Sequence, residues 1–169
     1  TETCAPGRTY CRVLTSVAAD LWNAHDFSSA PLFLRLSLER PHTPVAVPPP
    51  FDTMYADRTA LPAFGEEERR TMVGSLLRLR ERRRWDRLTD EDLLRIRSYY
   101  HGLVSHIDDE LGLLLDAVRR SPEADRTVVL LSSDHGCMLG EHGLQVKGPH
   151  YYGETARVPF ILAAPGALP

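Results

Sequence analysis

The sequence is nearly devoid of lysine. Among its 20 Lys and Arg residues only Lys147 is a lysine. A general preference for Arg accounts for the excess, and it makes the surviving ammonium informative, since a compact charge on a flexible stem does a different job from a planar guanidinium. Cysteine is scarce too: Cys4, Cys11 and Cys137 do not make a disulfide framework. No apolar run is long enough to span a membrane. A net charge of -3 and a pI near 6.1 give no reason to expect nucleic acid or an acidic membrane surface as partner. No signal peptide opens the chain, Thr1 is not an initiator, and Pro165 to Pro169 reads as a loop after a strand. These ends predict a fragment of a longer protein and leave localisation and oligomeric state open. What is present, 169 residues with 43% hydrophobic and 25% charged content, suffices for one domain with a core.

The elements follow from spacing. Thr15 or Ser16 is expected to cap a short helix through about Phe27, with Val17, Leu21 and Ala24 on one face. Pro31 to Leu38 reads as an inner strand, apolar on both sides. It ends in Pro41-His42-Thr43-Pro44, where prolines present His42 just past the strand. Residues 45–64 are Pro-rich loop, and 66–87 are helical and heavily charged, with Arg82-Arg83-Arg84 on a solvated face. Thr89 and Asp92 form a capping box for the longest helix, about 90–120. Leu93, Ile96, Tyr100, Leu103, Val104, Ile107, Leu111, Leu114 and Val118 make its core stripe. Asp108 beside that stripe reads as a hydrogen-bond hub, and His101 and His106 as exposed or half-buried helix residues. Arg126 to Leu131 and Arg157 to Ala164 are strands, with a helical turn at 151–156. This order predicts an α/β fold with a mixed sheet and flanking helices.

The chemistry gathers after the second predicted strand. Asp134 and His135 stand together at its carboxyl end, where α/β proteins place reactive groups. A carboxylate and an imidazole suit a divalent cation, but hard cations want about six or more ligands, and such a pair also occurs in a capped turn. Lys147 could neutralise an anionic oxygen held by the same metal, and His42 could hydrogen-bond that group. Metal, lysine and histidine together would stabilise charge on a sulfuryl or phosphoryl group and its leaving oxygen. His142 and His150 read either as rim residues or as solvated loop.

Ser133-Asp134-His135-Gly136, Met138 to Leu144, Lys147-Gly148-Pro149, Glu154 and Arg157 to Ile161 closely resemble the sulfatase family of the alkaline phosphatase superfamily. Pro31 to Leu34 with Pro41 to Pro44, Asp52 to Tyr55 with Leu61-Pro62, and Tyr99 to Leu115 agree in the family's order. The resemblance runs from about residue 13 to the end and implies the C-terminal portion of a catalytic domain. It implies hydrolysis of small-molecule sulfate monoesters by a formylglycine nucleophile and a divalent cation, usually Ca2+. By position, Asp134 and His135 would be metal ligands, His135 standing where many members have Asn. Lys147 and His42 would contact sulfate and leaving oxygens, and Arg157 would be structural, paired with Glu154.

Departures narrow this. The family's strand with two adjacent aspartates, which completes the metal site, has no counterpart here. Cys4-Ala5-Pro6-Gly7-Arg8 matches the letters of the nucleophile motif Cys-x-Pro-x-Arg. Gly7 stands where Ser or Thr is usual, and too short a stretch separates it from the Pro-His-x-Pro turn. Cys4 is therefore read as a loop cysteine in preference to the nucleophile. Cys137 replaces a common Glu, read as tolerated beside the site. The expectation is a sulfatase domain fragment, inactive alone. The alternatives are a phosphonate monoester or phosphodiester hydrolase of the same superfamily, or an inactive remnant that binds anions or a partner.

Overall fold

The structure, a computed structural model, describes residues 9–166. The expectation for Cys4 lies outside the described residues. Two compact units emerge among the described residues, one of 9–55, Ser98–Val128 and 163–166, the other of Ala56–Arg97 and Val129–Leu162.

In the first unit, helix α1 runs Tyr10–Ala24. It starts earlier than expected because Thr9, not Thr15 or Ser16, caps it: the Thr9 hydroxyl accepts from the Arg12 N–H at 3.1 Å. Thr15 lies inside the helix, buried, and its hydroxyl donates to the Cys11 carbonyl at 2.8 Å. The buried row is Cys11, Thr15, Ala18 and Trp22, whereas Val17 and Leu21 of the expected face are exposed. Both rows have helical spacing, and packing selected the one that ends in Trp22.

The 31–38 segment alternates exposed and half-buried residues as a strand would, yet it joins no ladder among the described residues, where β1 and β2 form the one sheet. Periodicity supplies a strand's faces but not its neighbour. Pro41 to Pro44 form the expected turn, with His42 exposed.

Helix α4, Asp90–Arg120, crosses the division between the units. Its start is the expected capping box: the Thr89 N–H donates to Asp92 at 3.1 Å and the Asp92 N–H to the Thr89 hydroxyl at 3.2 Å. In the first unit its buried residues are Ser98, Gly102, Leu103, His106 and Glu110. Two expectations change here. Asp108 is exposed, so the buried acid is Glu110, two positions on. His106 is buried, and its Nε2 lies 3.2 Å from Glu110 Oε1, while Arg12 approaches Oε2 at 3.3 Å. The Phe51 ring meets His106 edge-on at 5.3 Å between centroids.

The second unit holds α2 (Glu66–Thr71), α3 (Gly74–Arg82), strand β1 (Val129–Ser132) and the short helix α5 (Gly153–Ala156), with all of β2 (Phe160–Ala163) except Ala163, and β2 is paired to β1. The charged stretch is thus two helices and a turn of 3-10 helix. Arg82 to Arg84 are solvated as expected. Arg80 is buried instead, its Nε donating to the Gly143 carbonyl at 2.9 Å and its guanidinium over the Phe64 ring.

Candidate active site

Strand β1 delivers Ser133 and Asp134 at its carboxyl end. The turn that follows is tied by its own polar groups. The Ser133 hydroxyl donates to the His135 carbonyl at 3.0 Å, and the His135 N–H donates to Asp134 Oδ1 at 3.0 Å. Gly136 closes it by donating to the Thr155 carbonyl of α5 at 2.9 Å. A β-carbon at Gly136 would lie 1.9 Å from the Glu154 carbonyl oxygen. Only glycine allows α5 this close.

The imidazole tautomer follows from one contact. His135 Nδ1 sits 2.8 Å from the Gly136 carbonyl oxygen, which can only accept, so Nδ1 carries the proton. Nε2 lies 3.6 Å from Asp134 Oδ2, and in the neutral ring it is the nitrogen that keeps a lone pair. A carboxylate oxygen and an imidazole lone pair so placed fit two positions on one divalent cation, with the backbone carbonyl fixing the ring. Among the described residues no group of three or more His, Cys, Asp or Glu gathers around a common point. The donors present fit a cation as part of its shell.

The Asp134 carboxyl is raised by desolvation but lowered more by the His135 ring, by backbone N–H groups and by Lys147, which together hold it below the usual carboxylate range. Asp134 is therefore ionised at neutral pH, and the Lys147 ammonium is close enough to be felt there. Lys147 itself is exposed.

The loop between these residues is fixed from within and without. Leu139 and Gly140 donate to the Gln145 and Leu144 carbonyls at 3.1 and 2.8 Å. Met138 and Leu144 are fully buried. Glu141 accepts from Arg97 and from the Ala63 N–H, each at 2.8 Å. The Cys137 thiol donates to the Gln145 carbonyl at 3.2 Å, and burial pushes it up from its ordinary value.

Asp134, His135 and Lys147 thus share the second unit; His42 belongs to the first. His42 Nδ1 donates to the Thr43 carbonyl at 2.7 Å. Glu154 turns to His142, 3.6 Å away, while Arg157 is exposed. His142 is more embedded than a rim residue. Its ring pairs with Glu68 through Nδ1 and stacks on Tyr152 at 4.1 Å and 15°. Glu68 lies 74 residues away in sequence, so no local spacing announces it. His150 is buried, and neither ring nitrogen reaches full hydrogen-bond geometry. Neither the half-burial of His142 nor the burial of His150 was legible in a loop rich in Gly and polar residues.

A known structure has this architecture. The crystal structure of the phosphonate monoester hydrolase of Agrobacterium radiobacter matches with a TM-score of 0.79 and 28% identity, over 95% of this chain and 34% of that one. The fold is that of the alkaline phosphatase superfamily. Within it, the sequence model of the Sulfatase family matches residues 2–169, and the chain belongs to that family. The arylsulfatase of Clostridium perfringens is 33% identical over 148 residues, 83% of this chain and 29% of that protein. The choline-sulfatase of Rhizobium meliloti is 34% identical over 148 residues, 85% of this chain and 28% of that protein. The chain spans about three-tenths of the length of these curated relatives.

Proposed function

We propose that this chain is part of a sulfatase catalytic domain and that the intact protein hydrolyses sulfate monoesters. The observation that carries the reading is the Asp134–His135 pair at the end of β1, its ring fixed by the Gly136 carbonyl and its carboxylate feeling the charge of Lys147.

In this reading Asp134 and His135 hold a divalent cation, Ca2+ by family resemblance, whose chemistry is to draw electron density from a bound sulfate oxygen. The remaining ligands and the formylglycine nucleophile are not assigned to residues of this chain. Lys147 places its ammonium against a sulfate oxygen and offsets the charge that grows as the S–O ester bond breaks. His42 orients the ester or donates a proton to the departing alcohol oxygen.

The second reading is hydrolysis of a phosphonate monoester or a phosphodiester. The match to the Agrobacterium radiobacter enzyme favours it, and both oxyanions present similar oxygens to a cation and a lysine. Initial rates of the intact protein on an aryl sulfate and on a phenyl phosphonate monoester separate the two. Faster sulfate hydrolysis supports the proposal, and faster phosphonate hydrolysis overturns it in favour of the second reading. Hydrolysis of neither leaves an anion-binding remnant.

A further inference from the structure

Lys147 is exposed, so packing of its own side chain does not decide where its ammonium points. Its neighbours decide where its backbone stands. His150 is 8% exposed; neither ring nitrogen reaches full hydrogen-bond geometry, and the Val146 backbone is the polar group that acts on it. A buried polar ring so weakly partnered is costly, and such groups call for an explanation. The ring folds back over the peptide two residues earlier. A β-carbon on Gly148 would lie 2.7 Å from His150 Cε1 and 2.9 Å from Nδ1. The Val146 backbone lies beside the same ring, and burial holds the imidazole in its neutral form. The ring therefore touches the chain on both sides of Lys147. Behind it stands Tyr152, 5.8 Å away between centroids, itself stacked on the His142 ring that Glu68 and Glu154 flank.

We infer that His150 is a positioning residue for Lys147: its ring, wedged between Gly148 and Tyr152, sets the turn that presents the ammonium. The inference rests on the proposed role of Lys147 and adds to it. What the turn needs is a flat ring of this size against Gly148, so a phenyl group serves nearly as well. Glycine at 148 is required because any side chain there would push the ring away.

The test is kcat for an aryl sulfate in the intact protein, with variants placed singly and in the Lys147→Ala background. His150→Ala is expected to lower kcat by about 10- to 100-fold, the loss typical of a misplaced group. His150→Phe is expected to recover most of it. In the Lys147→Ala background, His150→Ala should cause no further loss, because the residue acts through the lysine. A merely structural histidine would lower activity by the same factor in both backgrounds, and that result overturns the inference. So does a His150→Phe variant as poor as His150→Ala. Gly148→Ala displaces the ring from the other side and is expected to behave like His150→Ala, which keeps the test open if the alanine at 150 does not fold. An Lys147→Ala variant with near-normal kcat would instead sink the role of Lys147 and this inference with it. Loss in Lys147→Ala combined with independent losses at 150 sinks the inference alone.

Discussion

Two buried imidazoles, one in each unit, are treated differently by their surroundings. His106 sits on α4 in the first unit, one helical turn before Glu110, and the two side chains meet at 3.2 Å. Arg12 adds a cation on the other carboxylate oxygen. His150 sits in the loop after Lys147, in the second unit, with both nitrogens buried and no ion pair, met only by the Val146 backbone. Burial lowers the proton affinity of both rings. In the first unit one ring nitrogen has a carboxylate partner a helical turn away, while His106 Nδ1 stays unpaired. In the second, a ring with no ion pair lies against the backbone around the only lysine. In the proposed reading, the ion-paired ring of the first unit serves architecture and the ring beside Lys147 serves the position of that lysine.

That contrast can be broken by substitution. The largest loss of stability should come from the second unit. Gly136→Ala forces a β-carbon into the Glu154 carbonyl and should cost about 3 kcal/mol, the upper part of the usual overpacking range. The urea midpoint of the intact protein measures it, and an unchanged midpoint would show that α5 moves away freely. Next comes His106→Ala in the first unit. It leaves the buried Glu110 carboxylate without its imidazole partner, and should cost about 2 kcal/mol. A smaller cost than that at His150 would reverse the contrast drawn here.

A pH series sharpens it further. Both rings have folded-state pKa values below the unfolded value. The unfolded chain therefore binds more protons in that interval, and stability falls as pH drops below about 6.5. Above it, the contribution is constant. His106→Gln should flatten part of the acid slope in the melting temperature, and an unchanged slope would mean that His106 is not held neutral. The smallest effect concerns thiols. Burial raises both Cys11 and Cys137 from their ordinary value, so both should react slowly with iodoacetamide in the native protein and quickly after unfolding. Rapid native alkylation at Cys137 would show that its loop opens.

What the sequence made legible was local. The capping box of Thr89 and Asp92 and the extent of α4 involve neighbours in the chain, and both match. The Asp134-His135-Gly136 turn was legible because a strand, an acid, an imidazole and a glycine follow in order, and the family it suggested is the family found. What the sequence hid depended on distant partners. The burial of Arg80 needs Gly143 and Phe64, and the clamp on His142 needs Glu68 and Glu154. The face of α1 needed a choice between two rows of equal spacing, which only packing makes. The 31–38 segment has a strand's alternation, but a ladder also requires a neighbour, and periodicity does not name one. His150 escaped notice because a histidine between Pro149 and Tyr151 carries no local sign of burial.

The proposed role of Lys147 links these observations to catalysis, and one substitution addresses it. In the intact protein, Lys147→Ala should lower kcat for an aryl sulfate by about 100-fold or more, the cost of removing one group that stabilises transition-state charge. Its melting temperature should stay close to wild type, since the side chain is exposed. Turnover near the wild-type value, with the same melting temperature, would contradict the account.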